Sequence, residues 1–309
     1  MVIGDVMVDS YLIGKVERIS PEAPIPIVGI QSKESRLGGA ANVALNLQSL
    51  GASPLVCSVI GDDQPGKAFR EMLREAGIRD EFLLESSHRT TSVKTRVISN
   101  KQQLLRFDEE VTHTLNEKIE QSFLELLHLA ISEEQPAAII FQDYDKGVNT
   151  PVVIEEVIQW AHQHNIPVLV DPKKKNFLRY REVKLFKPNL KELKEGLKLD
   201  FWTEDLTTLH QISKRFMADQ QIEIMVVTLS EKGIFACTKE DYVHFPAHPI
   251  RIADVSGAGD TVISLLALAL SQEFNLADAA ELANLGGSLV CTQAGVVPIS
   301  PSDLLQSTL

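Results

Sequence analysis

Residues 137–171 read AAIIFQDYDKGVNTPVVIEEVIQWAHQHNIPVLVD. The run 137–141 is short, apolar and β-branched. A polar stretch follows. Pro151 then opens the helical pattern 151–164, a first-turn position that proline suits because its missing N–H has no helical partner there. Residues 167–170 are apolar again and end at Asp171. Strand, helix and strand within thirty-five residues predict neighbouring parallel strands, because such strands need a connection of a dozen residues or more.

Outward from this unit the alternation continues. Strands are expected at 2–8, 55–60, 185–188, 223–229 and 233–238. Helices are expected at 38–50, 66–76, 116–131, 206–218, 260–272 and 276–293, with NLKELKEGL at 189–197 after the 185–188 strand. Short Val/Ile-rich strands between helices predict an α/β fold with a mostly parallel sheet covered by helices on both faces. Two segments break the alternation. Residues 11–30 hold prolines at 21, 24 and 26 among β-branched residues, and residues 90–107 alternate as in TSVKTRVIS and QQLLRF. Prolines exclude a helix and fit edge strands, so these segments are expected to form a small separate β lid. No linker, repeat or low-complexity stretch divides the 309 residues, and one domain over 1–309 is expected, its first strand shortened at its start.

The formal net charge of −12 disfavours general binding to nucleic acid or anionic membrane. The start MVIGDVMVD lacks the basic region of a signal peptide. The apolar run at 262–270 is too short to span a bilayer. Cys57, Cys237 and Cys291 have no CxxC spacing and apolar neighbours, which fits buried thiols in a reducing cytoplasm. The eight histidines form no HxH or HExxH pattern.

In open α/β sheets ligands lie beyond the carboxyl ends of the strands. That directs attention to Asp9, Asp143, Asp171, Asn189, Ser230 and the 254–260 loop. The sharpest feature is DVSGAGDT at 254–261, followed by VISLLALAL. Small residues let a ligand approach the backbone, and the first amides of a helix attract anions. A transferring phosphoryl group would rest on the amides of Gly257, Ala258 and Gly259, with Asp260 beside it to accept a hydroxyl proton. The competing reading is a glycine turn with Asp260 as a helix-terminus acid. No GKS or GKT follows, so this is not a Walker A loop.

These residues resemble the C-terminal signature of the ribokinase-like carbohydrate kinases, and GGAAN at 38–42 resembles their N-terminal signature. Within that family the chain is most similar to the D-glycero-β-D-manno-heptose 7-phosphate kinases. The carrying segments are 4–28, 37–52, 102–110, 143–148, 170–181 and 254–264, with ISPEAP at 19–24 and QQLLRFD at 102–108 the most specific. The resemblance implies a ribokinase-like three-layer sandwich and ATP-dependent phosphorylation at the anomeric O1. That step serves ADP-heptose and lipopolysaccharide precursor synthesis.

It implies that Asp9 and Asn42 bond sugar hydroxyls and that Gly38 and Gly39 let the sugar approach. Close helix–sheet packing for the glycines and a cap for Asp9 remain alternatives. It implies that Asn189 and Glu192 hold Mg²⁺ and phosphate, through water, although the same spacing fits a capping box. Thr228, Ser230 and Gly233 would lie near the nucleotide and Asn284 beside adenine; a tight turn and a buried helical asparagine are the alternatives. For the distal phosphate Lys146 and Lys173 are the favoured cations. Asp143 is placed near the sugar, and Asp171 either touches the sugar or orients a lysine, while Lys173–Lys175 also fits a solvated loop. Asp145 departs from the smaller or amide residue that related sequences carry.

The resemblance extends to a monovalent cation (K⁺) near Asp254, homodimerisation through the lids and a cytoplasmic location. Some relatives carry a second, nucleotidyltransferase domain, which is not expected within this chain. The rival readings are a kinase of the same family for another sugar or sugar phosphate, and a catalytically idle sugar-binding protein on the same scaffold. A dinucleotide-binding dehydrogenase is disfavoured because no GxGxxG follows the first strand.

Overall fold

The computed structural model describes residues 1–100, 102–199 and 205–307. In chain order the strands are β1 (Val2–Gly4), β2 (Val6–Ile19), β3 (Pro26–Gly39), β4 (Val56–Gly61), β5 (Leu83–Ser86), β6 (Ser92–Ser99), β7 (Gln102–Glu109), β8 (Ile139–Gln142), β9 (Val168–Asp171), β10 (Leu185–Phe186), β11 (Ile224–Thr228), β12 (Ile234–Cys237) and β13 (Tyr242–Phe245). The helices are α1 (Ala40–Ser49), α2 (Gln64–Glu75), α3 (Glu117–Glu134), α4 (Pro151–Gln163), α5 (Leu190–Gly196), α6 (Leu206–Gln220), α7 (Ala258–Ser271), α8 (Leu276–Val290) and α9 (Pro301–Ser307).

Among the described residues nine strands form one sheet, in the order β13-β12-β11-β10-β9-β8-β1-β4-β5. Every pairing from β11 to β5 is parallel, and β12 and β13 add antiparallel. The central strands β1, β8, β9 and β10 are buried at every position, as continuous apolar runs covered on both faces must be. One face packs on Leu127, Ile154, Val157 and Phe216 of α3, α4 and α6. The other packs on Val43, Phe69, Ile263 and Ala283 of α1, α2, α7 and α8. The sequence supplies the helix starts. Asp63, Asn116, Thr150 and Asn275 each accept the third following amide at an N-cap, a bond worth about 1 kcal/mol.

The second sheet has four strands in the order β3-β2-β6-β7. The segments 11–30 and 90–107 fall here, with Lys101 outside the described residues. Pro21 and Pro24 occupy the turn between β2 and β3, and Pro26 opens edge strand β3. Among the described residues no helix is long and apolar enough to cross a membrane.

Three expectations are corrected. Residues 2–8 are not one strand: β1 ends at Gly4, and Val6 begins β2 in the other sheet. Gly4 has φ +151 and leaves no space for a Cβ against the Gln142 carbonyl. Asp5 is buried between the sheets, where its carboxylate accepts the amides of Tyr144, Lys146 and Val148. Asp9 therefore lies inside β2 and does not follow a strand of the large sheet. Helix α1 starts at Ala40, with Gly38 and Gly39 ending β3. The 83–86 and 242–245 strands and the 301–307 helix, which the sequence pattern did not mark, complete the sheet edges and the C-terminal cover.

Candidate active site

The carboxyl ends of β8, β9 and β10 meet the N-terminus of α7. Register sets this up, because Gln142 at the end of β8 pairs with Asp171 at the end of β9. Lys187 immediately follows β10 and is 2% exposed. Its Nζ lies 2.9 Å from Asp171 Oδ2. Gln142 Nε2 donates both to Asp171 Oδ2 at 3.1 Å and to Asp260 Oδ1 at 3.0 Å.

Asp260 lies in the first turn of α7 and is 4% exposed. Asn42 Nδ2 of α1 donates to its Oδ2 at 2.7 Å, and the Tyr144 hydroxyl donates to its Oδ1 at 2.7 Å. Burial pushes the carboxyl up to about 6. The Asn42 and Tyr144 hydrogen bonds and the Lys187 charge oppose the rise, and the Asp171 charge adds to it. A carboxylate held near neutrality can take a proton at physiological pH.

Gly257 caps α7 with φ +84, and a Cβ there would lie 2.9 Å from Asn42 Nδ2. The first i→i−4 bond runs from the Thr261 N–H to the Gly257 carbonyl at 3.0 Å, so the amides of Gly259 and Asp260 precede the helical ladder. A Cβ on Gly259 would lie 3.6 Å from Lys187 Nζ and 3.8 Å from Asp171 Oδ2. These are ordinary contacts, so Gly259→Ala is expected to fold with an unchanged melting temperature. The methyl would enter the space above the Lys187–Asp171 pair and lower kcat. Steady-state kinetics beside a thermal melt check both halves.

Glu192 closes the second side. Its Oε2 accepts the Asn189 N–H at 2.8 Å while Asn189 Oδ1 accepts the Glu192 N–H at 2.8 Å, so the capping box is formed. Its Oε1 pairs with Lys173 Nζ. Lys173 also lies 5.5 Å from the centroid of the Tyr144 ring. Its burial disfavours the charge, but Asp171, Glu192 and Asp260 together raise its pKa.

The remaining expected residues distribute as follows. Asp9 is buried in β2 and ion-paired to Arg96; Gly38 packs on that carboxylate without space for a Cβ. Gly39 caps α1 with φ +62. Thr228 bridges in parallel to Asn189. Ser230 has φ +54 and Gly233 φ +89, a tight turn between β11 and β12. Asn284 on α8 donates to the Pro246 carbonyl at 2.8 Å. Lys146 leaves the Asp260 cluster and pairs with Glu110 at 2.6 Å, joining the 143–148 loop to the end of β7. Asp143 turns to the opposite face of the sheet from Gln142, where it accepts from Tyr180 at 2.8 Å and Asn176 at 3.2 Å. Burial and the Asp5 charge push Asp143 up to about 7.

A model of the pfkB family carbohydrate kinases matches residues 1–303. The chain belongs to the pfkB family of carbohydrate kinases. That family is one of carbohydrate kinases. This kinase is 37% identical over 306 residues to the bifunctional protein HldE of Trichlorobacter lovleyi, covering 99% of the chain and 62% of that relative. It is 39% identical over 296 residues to HldE of Helicobacter pylori, covering 96% of the chain and 63% of that relative. The chain thus spans less than two thirds of the length of these relatives. The fold is ribokinase-like: phosphofructokinase-2 from Escherichia coli in complex with potassium superposes with a TM-score of 0.82 at 19% identity, over 99% of this chain and 97% of that one.

In this pfkB kinase the sequence reading passed over Gln142, Tyr144 and Lys187. The signal existed. Successive residues of an extended segment face opposite ways, so with Asp143 turned to Tyr180, Gln142 and Tyr144 on either side of it reach Asp260. Lys187 was hidden because a lysine beside Pro188 reads as surface; only the buried Asp171 opposite explains it.

Proposed function

We propose that this chain transfers the γ-phosphoryl group of ATP to the anomeric O1 of D-glycero-β-D-manno-heptose 7-phosphate, giving the 1,7-bisphosphate and ADP. The observation that carries the reading is the buried Asp260, fixed by three donors at the N-terminus of α7 beside the Gly257–Ala258–Gly259 backbone. Similarity to HldE, with the ISPEAP and QQLLRFD segments, supports this sugar over others.

Asp260 orients the O1 hydroxyl and accepts its proton. The α7 amides lie along the path of the transferring group, where preorganised donors stabilise developing charge. Asp9, Asn42, Gly38 and Gly39 line the sugar side, and Lys146 and Lys173 supply cations for phosphate. Asp143 and Asp171 act through the groups they hold. Thr228, Ser230, Gly233 and Asn284 sit on the nucleotide side.

Oxygen donors at Asn189 and Glu192 have the chemistry Mg²⁺ takes, and Mg²⁺ commonly keeps its waters. Both Glu192 oxygens are already engaged, which fits contact through water. When bound, Mg²⁺ neutralises phosphate charge. Among the described residues no cluster of three or more His, Cys, Asp or Glu side chains could hold a metal directly. A monovalent cation would sit near Asp254, whose carboxylate accepts the amides of Ser256 and Gly295.

The four-stranded sheet serves as a lid that excludes water from the transfer. Its exposed Ile19, Ile30, Leu104, Leu105 and Phe107, together with open edges at β3 and β7, support pairing with a second copy. Three free, buried cysteines fit a cytoplasmic setting.

A coupled ADP-release assay with MgATP and a panel of sugars and sugar phosphates tests the substrate. Turnover confined to the heptose 7-phosphate is the expected result. Preference for another sugar would keep the kinase and replace the substrate; binding without turnover would replace the kinase reading.

The Asp260 assignment also fixes a pH dependence. The base must be ionised, and burial holds its carboxyl near 6, so activity is present above that pH and lost as pH falls through it. The acid limb of kcat/KM is expected near pH 6, where the substrate phosphate also titrates. A limb near pH 4 would contradict the buried-base geometry.

A further inference from the structure

Tyr144 touches both halves of the site. Its hydroxyl donates to Asp260 Oδ1 at 2.7 Å, and its ring lies under Lys173, which pairs with Glu192. The loop that carries it is held from below. Asp5, buried, accepts the Tyr144 amide at 2.9 Å, the Lys146 amide at 3.1 Å and the Val148 amide at 3.1 Å. Asp145 and Gly147 take φ +56 and +90, and Gly147 packs on the His113 carbonyl without space for a Cβ. The Tyr144 ring is thus presented from a backbone with three fixed amides. No structural need requires its hydroxyl, because Gln142 Nε2 also serves Asp260 Oδ1.

We infer that Tyr144 is a positioning residue for the phosphoryl transfer: its hydroxyl aims the Asp260 carboxylate, and its ring seats Lys173 against Glu192. One side chain then couples the base to the cation on the phosphate side. This rests on Asp260 being the base. The groups facing Asp260 are Asn42 from α1, Gln142 from β8, Asp171 from β9, Lys187 after β10 and Tyr144 itself, with Lys173 adding charge from the 171–173 loop. Among them Tyr144 is the donor that a single-atom change removes without leaving a buried group unpaired.

The test compares Tyr144→Phe and Tyr144→Leu with wild type and Asp260→Asn. Tyr144→Phe keeps the ring and loses one hydrogen bond to a charged group, so kcat is expected to fall about tenfold or more. The KM for MgATP should stay at the wild-type value. The acid limb of kcat/KM should move to higher pH, because the Tyr144 bond favours the ionised carboxylate. A substrate phosphate also titrates near pH 6, but the same substrate is used throughout, so a displacement between variants belongs to the protein. Tyr144→Leu also removes the seat of Lys173 and should add a rise in the KM for the sugar phosphate, whose phosphate that lysine is proposed to meet.

Incorporating 3-fluorotyrosine at 144 gives a second readout with packing intact. The more acidic hydroxyl is a stronger donor, and the limb should move down. Wild-type kcat and an unmoved limb in Tyr144→Phe, with Asp260→Asn inactive, would overturn the role of Tyr144 alone. An active Asp260→Asn would overturn the base assignment and this inference with it.

Discussion

Asp260→Asn is expected to fold and to lose about 10²–10⁴ in kcat, the range for removing a positioned general base. Asparagine has the shape of aspartate but cannot accept the proton of the attacking hydroxyl. The substitution also carries a hydrogen-bond conflict. Asp260 accepts from Asn42 on one oxygen and from Gln142 and Tyr144 on the other, so the new amide NH₂ meets an amide donor on either side, and only the Tyr144 hydroxyl can turn to accept from it. Against that cost, a buried carboxylate is replaced by a neutral group, and burial is the largest influence on this carboxyl. The two effects oppose each other, and the melting temperature should change little compared with turnover. Stopped-time product assays beside circular dichroism separate the two. A folded Asp260→Asn enzyme with wild-type kcat would remove Asp260 from the chemistry.

Lys187→Met should have the largest effect on stability. Lys187 and Asp171 are both buried, with Nζ 2.9 Å from Oδ2. Methionine approximates the length of the lysine stem but carries no charge, leaving Asp171 as a buried anion beside the second carboxylate at Asp260. Breaking a buried pair from one side costs about 3–5 kcal/mol, a large share of the stability of an ordinary domain. The urea midpoint should fall accordingly. The double variant Lys187→Met with Asp171→Asn should recover most of the loss, because the uncompensated charge is then gone. A single variant with an unchanged midpoint would show that Asp171 is solvated and the pair unimportant. Removing the Lys187 charge should also raise the pKa of Asp260 and carry the acid limb of activity upward.

The sheet was legible because its strands are continuous apolar runs. The unit at 137–171 gives β8, α4 and β9 to within two residues. The 11–30 and 90–107 segments were legible as non-helical through their prolines and alternation, and both lie in the four-stranded sheet. The passage from β1 to β2 was not, because residues 2–8 are apolar on both sides of Asp5 and only tertiary contact shows that the chain changes sheets there. The site was legible where backbone chemistry is local, as in the Gly257–Asp260 turn. It was illegible where side chains from distant segments meet. Asn42 and Asp260 are 218 residues apart in sequence and hydrogen-bonded in space. Asn189 and Glu192 illustrate an overlap: they form the capping box that their spacing predicts, and the same oxygens remain the donors proposed for the metal.

The most direct test of the central claim is proton-coupled phosphorus NMR of the reaction of the wild-type chain with MgATP and D-glycero-β-D-manno-heptose 7-phosphate. The account predicts one new phosphate resonance coupled to the anomeric proton, growing as ADP appears, with the 7-phosphate signal retained. ADP released with inorganic phosphate alone, or a new phosphate on any other carbon, would contradict it.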